Sequence, residues 1–97
     1  MSEKEKQKEH FYRSILALKD EAECADFFKD VCTVGELEAI VQRVEVARRL
    51  EKGEVYTEIM QEVNTSSATI SRVKRMLRDG TGCVSRVLAR VADDTKD

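Results

Sequence analysis

Four cations and a run of small polar residues share one stretch of the chain. From Ser66 to Arg78 the sequence SSATISRVKRMLR places Arg72, Lys74, Arg75 and Arg78 after Ser67, Ala68, Thr69 and Ser71, with no acid among them. The whole chain has a net charge of −2, so removing these four cations leaves −6 for the remainder. Concentrated positive charge on an otherwise acidic protein suits a polyanionic partner. At 100° per residue, Ala68, Ser71, Arg72, Arg75 and Arg78 fall on one side of a helix, and Ile70, Val73 and Leu77 on the other. The major groove of duplex DNA admits such a helix: short side chains permit close approach, hydroxyls and arginines can bond base edges, and cations reach phosphates. Residues 67–78 are therefore predicted to be a recognition helix. Ser67, Ala68, Thr69, Ser71 and Arg72 are its candidates for base readout, and Lys74, Arg75 and Arg78 for phosphate contacts.

A recognition helix needs a partner that sets its angle. Val55, Ile59 and Val63 recur at one-turn spacing just before it, which predicts a short helix with an apolar inward face able to close on Ile70, Val73 and Leu77. Asn64 follows, and asparagine tolerates left-handed backbone better than other non-glycine residues, so a sharp turn is expected there. Ser66, or Thr65, can then cap the second helix. Residues 55–78 thus read as a helix-turn-helix. Two features run against the pattern. Val55 offers no capping oxygen, an omission worth about 1 kcal/mol, and Met60 brings a long side chain to a position where close helix crossing favours a small one.

The rest of the chain reads as helical support. Residues 1–9 have no apolar face and are expected to form a flexible arm, with the frayed start of a helix as the alternative. Phe11, Ile15 and Leu18, with Tyr12 and Leu16, form a helical stripe; Asp20 with Glu23 and Thr33 with Glu36 stand at capping-box spacing and open two further helices. The second of these carries Leu37, Ile40, Val41, Val44, Ala47 and Leu50 as its expected inward face and should end at Gly53. Arg48, Arg49 and Lys52 suit the negative end of its dipole, with a phosphate contact by one of them as the alternative. After a break at 79–82, Val84, Val87, Leu88 and Val91 predict a last short helix, and 92–97 a frayed tail. The fold class is all-α, about six helices in a single domain over 1–97. A chain of 97 residues buries a thin core, which favours a dimer.

Several classes of function find no support. Glu36, Glu38 and Glu45 lie on the long helix without a nucleophile or ligand set to complete a catalytic or metal site, so neither an enzyme nor a cofactor is expected. His10 is the only histidine. Cys24, Cys32 and Cys83 lack paired short spacing and read as reduced thiols. No apolar run reaches the roughly 20 residues of a membrane span, and the start, MSEKEKQKEH, lacks an apolar signal core, so a cytoplasmic protein is expected. The alternative to DNA binding is a helical protein–protein interaction module whose acidic surface is the working face.

The runs CTVGELEAI, RVEVARRLEKG and TSSATISRVKRML, with ATISR the most specific part, resemble the Trp-repressor-like superfamily of bacterial regulators, in particular its YerC/YecD-type branch. The resemblance covers roughly residues 10–80. It implies an interlocked, all-α homodimer whose two recognition helices enter successive major grooves of a palindromic operator, with half-sites roughly 34 Å apart or a multiple of that. It also implies a small-effector pocket, at whose aligned positions stand Thr33, Arg43 and Arg72. The chain departs from the tryptophan-binding pattern in three places. Val73 replaces a glycine beside the pocket, Val34 and Gly35 replace a proline and an aspartate, and the joint before the motif is one residue shorter. These departures argue against tryptophan as the ligand. Thr33 can equally be explained as an N-cap, and Arg43 as a partner of Glu36 or Glu38.

Overall fold

Helix boundaries in the computed structural model follow from local hydrogen bonding. The structure describes residues 1–95, and among them are six helices and no strand: α1 (Glu3–Leu16), α2 (Glu21–Val31), α3 (Val34–Glu51), α4 (Tyr56–Val63), α5 (Ser67–Asp79) and α6 (Cys83–Thr95). At Ser2 a capping box closes: Ser2 Oγ accepts from Glu5 N at 3.1 Å while Glu5 Oε1 accepts from Ser2 N at 3.1 Å. Helix α1 consequently starts at Glu3, which corrects the expected flexible arm over 1–9 in favour of the alternative, a helix start; without an apolar face, local capping still orders the segment. The expected frayed tail is also corrected in part, because α6 continues to Thr95, and residues 96–97 lie outside the described residues.

Of the two predicted boxes, the one at Thr33 closes fully and the one at Asp20 on one side only. Glu23 N donates to Asp20 Oδ1 at 2.8 Å, with the Glu23 carboxylate returning to Lys19 N at 3.0 Å. Glu36 N donates to Thr33 Oγ1 at 3.1 Å, and Thr33 N to Glu36 Oε1 at 2.8 Å. These bonds from Thr33 hold the Glu36 carboxyl below its ordinary pKa. Gly53 ends α3 at φ +84°, with Glu54 N reaching back to Arg49 O at 3.1 Å, a bond that needs the left-handed backbone glycine supplies.

The chain divides into two compact units, Met1–Leu37 and Glu38–Asp97. In the first, α1 and α2 contain no fully buried residue. Ile15, Leu18, Phe27 and Phe28 are half-buried, while Phe11, Tyr12, Leu16 and Val31 are exposed. The second unit holds the core: Val46, Ala47, Ile59, Ile70 and Val73, with Leu50, Tyr56, Val63, Leu77, Val84 and Leu88 packed against it. Complete burial of one such aliphatic side chain stabilises by about 1.5–3 kcal/mol. The long-helix stripe is corrected here. Val46 is fully buried although it lay outside the predicted face, whereas Ile40, Val41 and Val44 are 39%, 59% and 46% exposed. Apolar spacing identifies which residues could be buried, but the α3 residues that enter this core, Val46, Ala47 and Leu50, all come from its last turns.

An ionic cluster joins the end of α3 to α4. Arg48 forks onto Glu45, Nε to Oε1 at 2.9 Å and Nη2 to Oε2 at 2.8 Å. Arg49 Nε also reaches Glu45 Oε2 at 2.8 Å, and its Nη1 bonds both Glu54, at 3.1 Å, and Glu62 of α4. The Glu45 carboxyl falls from its ordinary 4.5 to about 2. Hydrogen bonds from Arg48 are the main cause, those from Arg49 add to it, and partial burial opposes both. The two arginines thus complement neighbouring carboxylates, and a phosphate contact by either is not needed to account for them.

Two outcomes are expected. Helix α4 begins at Val55 with no side-chain cap, so Val55→Ser should raise the unfolding free energy by about 1 kcal/mol, read as a higher urea midpoint at unchanged slope. Glu45 has a folded pKa below its unfolded one, so its contribution is full above pH 4.5 and is lost as pH falls toward about 2. The stability advantage of the parent over Glu45→Gln should therefore be flat above pH 4.5 and shrink below it. Parallel stability curves down to pH 2 would refute this.

Candidate nucleic-acid interface

The turn between α4 and α5 is built from three residues. Asn64 ends α4 in the left-handed region at φ 56°, ψ 56°; its own N–H bonds Met60 O, and Thr65 N bonds the same carbonyl at 3.3 Å. Ser66 then stands extended, and its Oγ accepts from Thr69 N at 3.2 Å, starting α5. The chain reverses within Asn64, Thr65 and Ser66, and Ile59 of α4 joins Ile70 and Val73 of α5 in one buried cluster. Met60 is 38% exposed and is not one of the buried core residues.

Burying Ile70 and Val73, with Leu77 half-buried, decides which way the rest of α5 faces. Ser67, Ala68, Ser71, Arg72, Lys74, Arg75 and Arg78 are all exposed. Thr69 is half-buried, and its hydroxyl lies 3.1 Å from Ser66 Oγ, so it is engaged in the cap as well as present near the face. The four cations are not equivalent. Arg78 forks onto Asp79, Nε to Oδ1 at 2.9 Å and Nη2 to Oδ2 at 3.0 Å, which raises the arginine pKa and lowers that of the carboxyl. Lys74 Nζ lies 5.7 Å from the ring centre of Tyr56, at the start of α4, within range of a cation–π contact. Arg72 and Arg75 are exposed and have no partner among the described residues. Asp79, one residue past the acid-free stretch, was visible in sequence as a neighbour of Arg78. The Tyr56 contact depends on the turn and was not.

Two of the candidate effector residues line one groove. A groove of about 450 Å³ is lined by Ala39, Gln42 and Arg43 of α3 and by Thr69, Arg72, Val73 and Met76 of α5. Arg43 and Arg72 are thus brought to one concavity. Thr33 is not part of its lining and has its hydroxyl engaged in the α3 cap. The expected pairing of Arg43 with Glu36 or Glu38 is corrected: no such ion pair is formed. The spacing explains this, because five and seven residues along a helix are not the three or four that bring side chains together. Glu36 is also occupied by Thr33. Val73 is 3% exposed, with its side chain in the core at the groove's edge. Among the described residues no cluster of three or more His, Cys, Asp or Glu side chains could hold a metal ion, and no helix is long and apolar enough to cross a membrane.

The family model described as Trp repressor protein matches residues 6–92. The chain is 46% identical over 88 residues to YerC of Bacillus subtilis, itself described as uncharacterized, spanning 91% of this chain and 85% of YerC. Two solved structures are similar throughout. One is a Staphylococcus aureus protein described as a candidate Trp repressor, 38% identical with a TM-score of 0.84, covering 94% of this chain and 95% of that one. The other is a TrpR-like protein of Eubacterium eligens, 43% identical with a TM-score of 0.82, covering 86% of each chain.

Proposed function

The chain belongs to the Trp repressor family, a family of regulators rather than enzymes, and on that premise we propose that it is a sequence-specific double-stranded DNA-binding protein that regulates transcription, as a repressor. The observation that carries this reading is the outward face of α5. Ser67, Ala68 and Ser71 are small and exposed near the helix start, and the unpartnered Arg72 and Arg75 follow on the same helix. Small residues let the helix approach base edges, Arg72 can bond a guanine bidentately, and Arg75 meets a phosphate. Lys74, pre-set over Tyr56, and Arg78, shared with Asp79, contribute phosphate contacts of a weaker kind.

The working form in this reading is a homodimer. Exposed apolar residues recur in both units: Phe11, Tyr12 and Leu16 on α1, and Ile40, Val41 and Val44 on α3. Residues of this kind left in water need a covering partner, and a second copy of the chain supplies one with the two-fold symmetry that a palindromic operator requires. The groove between Arg43 and Arg72 favours a second, compatible reading, in which a small effector carrying an anionic group gates binding.

Electrophoretic retardation of duplex DNA, after selection of bound sequences from a random pool, tests the proposal. Arg75→Ala should weaken binding to all sequences and reduce the salt slope by about 0.9, the value of one phosphate contact on duplex DNA. Asp79→Asn, which releases Arg78, should strengthen binding and steepen the slope by up to the same amount. Slopes unchanged in both variants, or no salt-sensitive retardation by the parent, would favour a protein-only interaction module. An effector should reveal itself as retardation that shifts on adding a small carboxylate or phosphate ester and stops responding in Arg43→Ala.

A further inference from the structure

The recognition face is useful only if α5 meets DNA at a set angle, and the apolar packing that holds it is non-directional. Helix α4 has eight residues and no side-chain N-cap, so it has little rigidity of its own. Tyr56, Ile59 and Val63 seat it on the core, but contacts of this kind tolerate small rotations and slides. One directional link runs from α3 to α4. Arg49 is 17% exposed, and its guanidinium bonds Glu45 on its own helix, Glu54 in the connecting turn and Glu62 on α4. Glu62 lies three residues after Ile59, one turn further along α4 and at the flank of its seated side, so the two anchors together define the helix's direction as well as its position. Because α4 and α5 share one buried cluster and the tight Asn64 turn, fixing α4 on α3 also fixes α5.

We propose that Arg49 is a positioning residue for DNA recognition: through Glu45, Glu54 and Glu62 it sets the α4–α5 pair on α3 and thereby the pitch of the recognition face. The proposal rests on the DNA-binding reading above. It explains why a guanidinium is used where a single surface ion pair would contribute little. The planar fork of arginine engages three carboxylates from three segments at once, which the point charge of lysine does not reproduce.

Glu62→Ala gives the sharpest test, because charge and position predict opposite results. Glu62 is 59% exposed, so its removal leaves the core intact. Losing an acid beside a DNA-binding helix should by electrostatics alone leave DNA affinity unchanged or raised. If Arg49 positions the motif, preference for the selected operator over random duplex should instead fall about tenfold, comparable to losing readout of one base pair, while non-specific binding holds or rises. Arg49→Met should show the same loss of preference, and Arg49→Lys an intermediate one. A DNA-independent measurement accompanies these. Spin labels at Glu38 on α3 and Ser71 on α5, with native cysteines changed to serine and labelled chains diluted with unlabelled ones, should give a narrow distance distribution in the parent and a broadened or shifted one in Glu62→Ala. An unchanged distribution, or a preference ratio within twofold of the parent, overturns the proposal. Absence of retardation by the parent chain refutes the DNA reading instead, while the label distances still judge whether Arg49 fixes the pair.

Discussion

The left-handed backbone at Asn64 is the constraint from which the arrangement of the second unit follows. A helix that continued past Val63 would carry Ile70 and Val73 away from Ile59, and a looser connection would let α5 choose among several faces. At φ 56° the chain reverses within three residues, Met60 O accepts from two successive N–H groups, and Ser66 is delivered in the extended conformation that caps α5. Once Ile70 and Val73 are buried against Ile59, the exposed face of α5 is no longer free to vary. The exposure of Ser67, Ala68, Ser71, Arg72 and Arg75 is therefore a consequence of where the aliphatic residues go.

Directional and non-directional forces divide the work around this turn. Aliphatic burial supplies most of the free energy that holds α4 and α5 against α3 and α6, but it is indifferent to small rotations. Hydrogen bonds and ion pairs supply direction: the Ser66 cap, the Thr33–Glu36 box and the carboxylates gathered by Arg48 and Arg49. On α5 the same distinction separates cations with internal partners from those without. Arg78 is drawn to Asp79 and Lys74 to Tyr56, which leaves Arg72 and Arg75 as the arginines able to meet an anion from outside.

Much of this was legible along the chain because it is local. Capping boxes span three residues, a positive φ at Asn64 or Gly53 reflects that residue's own sterics, and the two faces of α5 follow from 100° per residue. The less legible features depend on non-local neighbours. Nothing in the spacing of α3 says that Val46 is buried while Val41 and Val44 are not, because that depends on how far along α3 the other helices reach. Arg49 looked like an ordinary end-of-helix cation until Glu62, thirteen residues on, came within bonding distance.

By itself the sequence determined the all-α class, the ends of α2 to α5, the turn, and the two faces of α5, since all of these arise from interactions within one or two turns of backbone. Tertiary structure decided which apolar stripe found a partner, that Lys74 lies by Tyr56, and that Arg43 and Arg72 line a common groove. Those outcomes depend on distances between residues far apart in the chain, and only the closed packing of α3, α4, α5 and α6 sets them. The stretch from Ser66 to Arg78 shows both sides: its charge and periodicity divided it into an apolar and a basic face, and the core beneath it fixed which of them is exposed.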